Sequence, residues 1–119
     1  MPEKKIKWYK VAESIEAIEW QANNLALAEA GGRKITLARK DNGIYACAHK
    51  CPHAGGLLAD GLIDTMGNLV CPVHRYKFNL ANGRNVSGEG YYLKTYGVDI
   101  REAGIFVGFE EKSWLNIFK

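Results

Sequence analysis

Short runs of alternating apolar and polar residues, separated by turn-formers, fill most of the chain. Ile6-Lys7-Trp8-Tyr9-Lys10-Val11 predicts a first strand. Ser14 stands where it could cap a short turn of helix, with Ile15 and Ile18 three apart on one face. Leu25-Ala26-Leu27-Ala28 predicts a second strand, and Gly31-Gly32 turns the chain into a third at Ile35-Thr36-Leu37-Ala38. Asp41-Asn42-Gly43 is a hairpin signal, because Asn and Gly tolerate the positive φ of tight turns. It leads into Ile44-Tyr45-Ala46-Cys47-Ala48, where the period of two puts Tyr45 and Cys47 on one face. Leu62-Ile63 and Asn68-Leu69-Val70 flank a turn at Met66-Gly67, and Tyr76-Lys77-Phe78 precedes another at Asn82-Gly83. In the last hairpin Tyr96, Val98 and Ile100 are expected to face the core. Past the turn at Glu102-Ala103-Gly104, Ile105, Val107 and Phe109 alternate with Phe106 and Gly108. The tail, 110–119, carries Trp114, Leu115, Ile117 and Phe118.

Composition narrows this to one all-β domain. The chain has 119 residues, 47% hydrophobic and 24% charged, which suffices for a core without disulfides. Thirteen glycines against three prolines favour many tight turns. A net charge of +3 is too mild to argue for nucleic acid. No run reaches the length of a membrane span, and the first residues lead into no apolar signal segment. The three cysteines form no disulfide framework, so a reducing, cytoplasmic location is expected.

The candidate chemistry lies in Cys51-Pro52-His53 and Cys71-Pro72-Val73-His74. Each half offers one thiolate and one imidazole. Zinc fingers pair Cys with Cys and His with His on separate elements, so this mixed spacing is not theirs. It suits a two-iron cluster with unlike irons, one Cys from each loop holding one iron and one His from each loop the other. Structural zinc remains the alternative, since thiolate and imidazole suit both metals.

At these residues the chain resembles the Rieske family. Cys51-Pro52-His53-Ala54-Gly55 is similar to its first cluster loop, and Cys71-Pro72-Val73-His74-Arg75-Tyr76-Lys77-Phe78 to its second. Leu58-Ala59-Asp60-Gly61, Asn82-Gly83 and Leu93-Lys94-Thr95-Tyr96-Gly97-Val98 resemble its intervening turns and closing strand. The resemblance covers most of the chain from Ile44 to Phe109. It implies a Rieske-like antiparallel β-sandwich scaffold, 1–43 and 85–119, with an inserted cluster-binding subdomain near 44–84, all one domain over 1–119. It also implies one [2Fe–2S] cluster per chain on Cys51, His53, Cys71 and His74, with the imidazoles nearer the surface as the electron port. Cys47 is expected to be a buried strand residue and His49 a loop residue, neither of them a ligand.

High-potential members carry a further Cys pair between the loops and Ser and Tyr hydroxyls after the second. The matching positions here are Gly56 and Val73, and Tyr76 and Phe78. The chain therefore resembles the low-potential ferredoxin branch, with a midpoint of about −150 to −100 mV. The resemblance implies a soluble electron carrier, not itself an enzyme, between a reductase and a terminal oxygenase or similar oxidoreductase. Alternatives are the small subunit of an NAD(P)H-dependent nitrite reductase and, in another class, a zinc-stabilised interaction module. An oxygenase large subunit would need two more histidines for its second iron, and only His49 is left over. Three features depart from the family pattern: Arg75 where Gly is common, no Pro in Ser87-Gly88-Glu89-Gly90, and the basic balance of charge. Protein redox partners are expected, with no nucleic acid and no membrane, the chain being a monomer or weak oligomer. Lys50, Arg75, Lys77 and Arg84 outnumber Asp60 and Asp64 around the loops and suggest a basic collar, with Trp114 and Phe118 as a competing docking surface.

Overall fold

The structure, a computed structural model, describes residues 5–52 and 55–111. His53 and the tail aromatics Trp114 and Phe118 lie outside the described residues. Nine strands are described: β1 (Lys5–Ala12), β2 (Leu25–Ala30), β3 (Arg33–Lys40), β4 (Gly43–Ala48), β5 (Leu62–Ile63), β6 (Asn68–Val70), β7 (Lys77–Asn79), β8 (Thr95–Arg101) and β9 (Gly104–Glu111). All pairings are antiparallel, and only two short 3-10 turns, Ile15–Ala17 and Leu58–Asp60, interrupt the all-β fold among these residues. Ser14 precedes the first of them but makes no side-chain capping bond.

Six strands form one sheet in the order β1-β9-β8-β4-β3-β2, and β5-β6-β7 form a second. The large sheet is joined at its middle by only two residue pairs, Ala46 with Tyr96 and Cys47 with Thr95. Its two halves enclose one core: Ala26, Ile35, Leu37 and Ala46 from β2–β4, and Ile105, Val107 and Phe109 from β9. The opposite face of β2–β4 supplies Leu25, Ala38 and Cys47 to a second core, completed by Leu58, Leu69, Phe78, Leu80 and Leu93. Alternation along each strand sends neighbouring residues to different cores, which is why Ala46 and Cys47 belong to different ones. Each fully buried Leu or Phe contributes about 1.5–3 kcal/mol of transfer free energy.

Three expectations shift. The β3–β4 hairpin pairs Lys40 with Gly43, so its loop is Asp41-Asn42 and the positive φ, 54°, falls on Asp41. β4, read from sequence as the start of the inserted segment, is hydrogen-bonded into the large sheet. Ile100 is 51% exposed rather than facing the core. β4 meets β8 only near Thr95 and Tyr96, so Ile100, toward the hairpin tip, has no strand to cover it.

The small sheet is tied back to the scaffold by side-chain amides. Gln21 Nε2 donates to the Ala59 carbonyl at 2.7 Å, and Asn23 Nδ2 donates to the carbonyls of Ala59 and Gly61, both at 2.9 Å. Asp64 organises the β5–β6 turn: its Oδ1 accepts from the Met66 and Asn68 amides at 2.9 Å, and Lys77 Nζ lies 3.7 Å from Oδ2. Burial pushes the Asp64 carboxyl up, but those hydrogen bonds and the Lys77 charge outweigh it and hold it below its ordinary range. The folded pKa lies under the unfolded one, so this contribution is full above about pH 4 and fades as pH falls through the folded value. Urea unfolding against pH should show stability dropping on the acid side, and Asp64→Asn should flatten part of that slope. An unchanged slope in the variant would remove Asp64 from the account.

Candidate metal centre

The two candidate loops share one backbone frame. The Cys51 amide donates to the Gly56 carbonyl at 2.8 Å, and the Gly55 amide donates to the Cys51 carbonyl at 3.1 Å. In the second loop the Cys71 amide donates to the Tyr76 carbonyl at 2.9 Å, and the Arg75 amide to the Cys71 carbonyl at 3.0 Å. Each Cys thus opens a tight loop closed five residues on. The position four after each Cys is left-handed, with φ 70° at Gly55 and 60° at Arg75. For a non-glycine residue that conformation costs about 1–2 kcal/mol.

The frame brings the two thiols together. Cys51 is 4% exposed and Cys71 1%, both pack in one core, and the Cys71 sulfur lies 3.4 Å from where a Cβ on Gly56 would stand. Burial is the largest influence on the Cys71 thiol and raises its pKa; the neighbouring Cys51 adds to that rise. The backbone amides of Val73 and His74 donate to the Cys71 sulfur and favour its thiolate. These are the bonds that would steady a metal-bound sulfur. Leu58, Leu69, Phe78, Leu80 and Leu93 pack in the same core as the two cysteines. Phe78 is fully buried and its side chain offers no hydrogen-bond donor there.

His74 stands on the outer side of the second loop and is exposed. Its ring lies 6.0 Å from that of Tyr76, which stacks on Tyr91 at the same separation. The loops touch where a Cβ on Gly56 would come within 2.4 Å of a Val73 methyl, so the first loop needs glycine there. Among the described residues, two soft buried sulfurs in one core, with the exposed His74 three residues after Cys71 on the same loop, are donors of the types a two-iron centre with unlike irons takes.

Cys47 is 2% exposed, and burial pushes its thiol up to about 12. It faces the same core as Tyr45, as the strand period predicts. His49 accepts the Leu58 amide through its carbonyl, and its buried Nδ1 has no partner among the described residues. The clamp from Gln21 and Asn23, and the support of the 85–90 loop by Asn85, escape the sequence reading. Asn85 Nδ2 donates to the Lys77 carbonyl at 3.1 Å and its Oδ1 accepts from the Gly90 amide at 2.9 Å. An Asn before Ser-Gly-Glu-Gly was the available signal, as Asx side chains often bond nearby backbone in turns.

Residues 7–96 match the family model of the Rieske [2Fe-2S] domain. Over 95 residues, 79% of the chain, it is 33% identical to cholesterol 7-desaturase nvd of Bombyx mori, of which it spans only 20%. Among solved structures, the ferredoxin of carbazole 1,9a-dioxygenase from Nocardioides aromaticivorans IC177 superposes with TM-score 0.72 at 19% identity, covering 85% of this chain and 96% of that one. A protein assigned as the small subunit of an NADPH nitrite reductase superposes with TM-score 0.71 at 18% identity, covering 85% and 97%. At such identities these structures speak for the fold.

Proposed function

The chain belongs to the Rieske [2Fe–2S] domain family, and from that premise we propose that it is a one-electron carrier between a reductase and a terminal oxygenase or similar oxidoreductase. In this reading Cys51 and Cys71 hold one iron, and His53 and His74 the other. The cluster supplies reversible one-electron chemistry when bound. The residues of the chain do the rest. The buried thiols and their apolar floor exclude water, the Val73 and His74 amides steady the Cys71 sulfur, and the exposed His74 edge offers the short path outward. The observation that carries the reading is two buried thiols in one core, delivered by two loops of the same backbone frame, with an exposed imidazole on the second loop.

Residues 1–119 are read as one domain, with the cluster-binding part beginning after β4 rather than near residue 44. No helix among the described residues is long and apolar enough to cross a membrane. The nitrite-reductase reading rests on the likeness of fold to an assigned small subunit and stays as the second. A ring-hydroxylating oxygenase beside the gene favours the first reading, and a sirohaem reductase the second.

Metal analysis tests the proposal first. The purified protein should be red-brown, with two irons and two acid-labile sulfides per chain. Protein-film voltammetry should then give a midpoint of about −150 to −100 mV. Zinc without sulfide would overturn the cluster, and a midpoint well above zero would overturn the low-potential assignment.

A further inference from the structure

The two loops make the same left-handed demand four residues after their cysteines, and they answer it differently. Gly55 meets it freely; Arg75 meets it against its own preference. Nothing in the backbone frame needs the arginine side chain. It is exposed, and among the described residues its guanidinium has no ion pair or hydrogen bond. It follows His74 directly, at the proposed electron port.

The surrounding charges sharpen its role. Lys77 is engaged by Asp64, so Arg75 and Lys50 are the uncommitted cations nearest the ligands in sequence. On the acidic side, Asp60 lines a cleft of about 150 Å³ together with Arg75, and Glu89 is engaged by Asn85 and Ser87. Val73, two residues before Arg75, is exposed at 48%, and the His74 ring next to Arg75 in sequence meets Tyr76, on which Tyr91, exposed at 40%, stacks. An apolar, aromatic centre with a charged rim is the anatomy of a protein interface. A guanidinium at that rim matches carboxylates in fork geometry.

Resting on the electron-carrier reading, we propose that the face formed by Val73, His74, Arg75 and Tyr91 docks an acidic surface of a protein redox partner, with Arg75 as the cation that positions it. Attraction between this rim and partner carboxylates raises the encounter rate and aligns the imidazole edge with the acceptor.

The test uses reduced holoprotein in a stopped-flow instrument. Each chain gives one electron to one ferricyanide, forming ferrocyanide, or to one hexaammineruthenium(III), forming ruthenium(II). At low salt Arg75→Glu should slow the anionic oxidant roughly three- to tenfold and speed the cationic one, and both changes should shrink as salt is added. A changed midpoint would move both oxidants the same way, so opposite shifts isolate docking charge. Arg75→Lys should stay near wild type with both oxidants, and so should Lys5→Glu on edge strand β1. Poly-L-glutamate, an acidic polypeptide, should inhibit wild type and not Arg75→Glu. Arg75→Gly should slow ferricyanide while unfolding at the same temperature as wild type or higher, because the strained position is relieved. Matching rates for Arg75→Glu and wild type, equal inhibition of both by poly-L-glutamate, or a lowered unfolding temperature for Arg75→Gly would each overturn the proposal. If wild type itself exchanges no electron with either oxidant, the carrier reading fails, and the docking face with it.

Discussion

Cys71→Ser or Cys51→Ser should purify without iron or labile sulfide and unfold at a markedly lower temperature, whereas Cys47→Ala should keep two irons per chain. The first pair packs in one core where the two loops meet, each nearly sealed from water. A serine oxygen in that place is a harder, weaker donor than thiolate for iron. Because the site has no equivalent in the unfolded chain, lost cluster affinity is lost folding free energy. The effect should therefore be all-or-none in iron content and large in stability. Cys47 occupies the same core yet behaves as a small apolar side chain, its thiol kept protonated by burial. Cutting it to alanine removes one sulfur from a packed site, at about 1–2 kcal/mol. Iron and sulfide assays with thermal unfolding by circular dichroism read both outcomes. A Cys47→Ala chain that folds but holds no iron would make Cys47 part of the centre, and full iron in Cys71→Ser would remove Cys71 from it.

The candidate ligand spacing was easier to read in the sequence than the frame around it. Cys51, His53, Cys71 and His74 stand out because their spacing is local, and spacing survives in one dimension. The strands were legible for the same reason: alternation at Tyr45 and Cys47, or at Ile105, Val107 and Phe109, is a property of neighbours. Long-range features left little trace. Nothing near Asn23 announces that its amide will bind carbonyls of the turn at Ala59 and Gly61. The core-facing reading of Ile100 failed because alternation tells which face a side chain takes, not whether another strand arrives to cover it. Arg75 was legible as a departure from the family pattern and as part of a basic collar, but only the shared loop frame shows what backbone conformation that position carries.

Gly83→Ala should cost about 3 kcal/mol or more. The Gly83 amide donates to the Asn79 carbonyl at 2.8 Å, and its carbonyl accepts the Leu93 amide at 2.9 Å, so the residue is pinned on both sides. Its φ is +77°, and a Cβ there would lie 1.9 Å from the Leu93 carbonyl oxygen. That contact is with backbone, which cannot rotate away as a side chain could. Gly67→Ala is the control: its φ is +82°, but a Cβ would meet nothing within 4 Å. It should cost only the left-handed strain, about 1–2 kcal/mol. The difference between the variants therefore measures the clash with the Leu93 segment, free of the φ preference both share. Leu93 packs in the core that holds Cys51 and Cys71, so Gly83→Ala should also loosen the cluster site, while Gly67→Ala should leave it intact. Urea midpoints at constant slope give the stability difference, and iron retention after gel filtration gives the coupling. Equal midpoints for the two variants would mean that the turn at Gly83 yields to a methyl, and that the 83–93 segment is not the brace beneath the two cysteines.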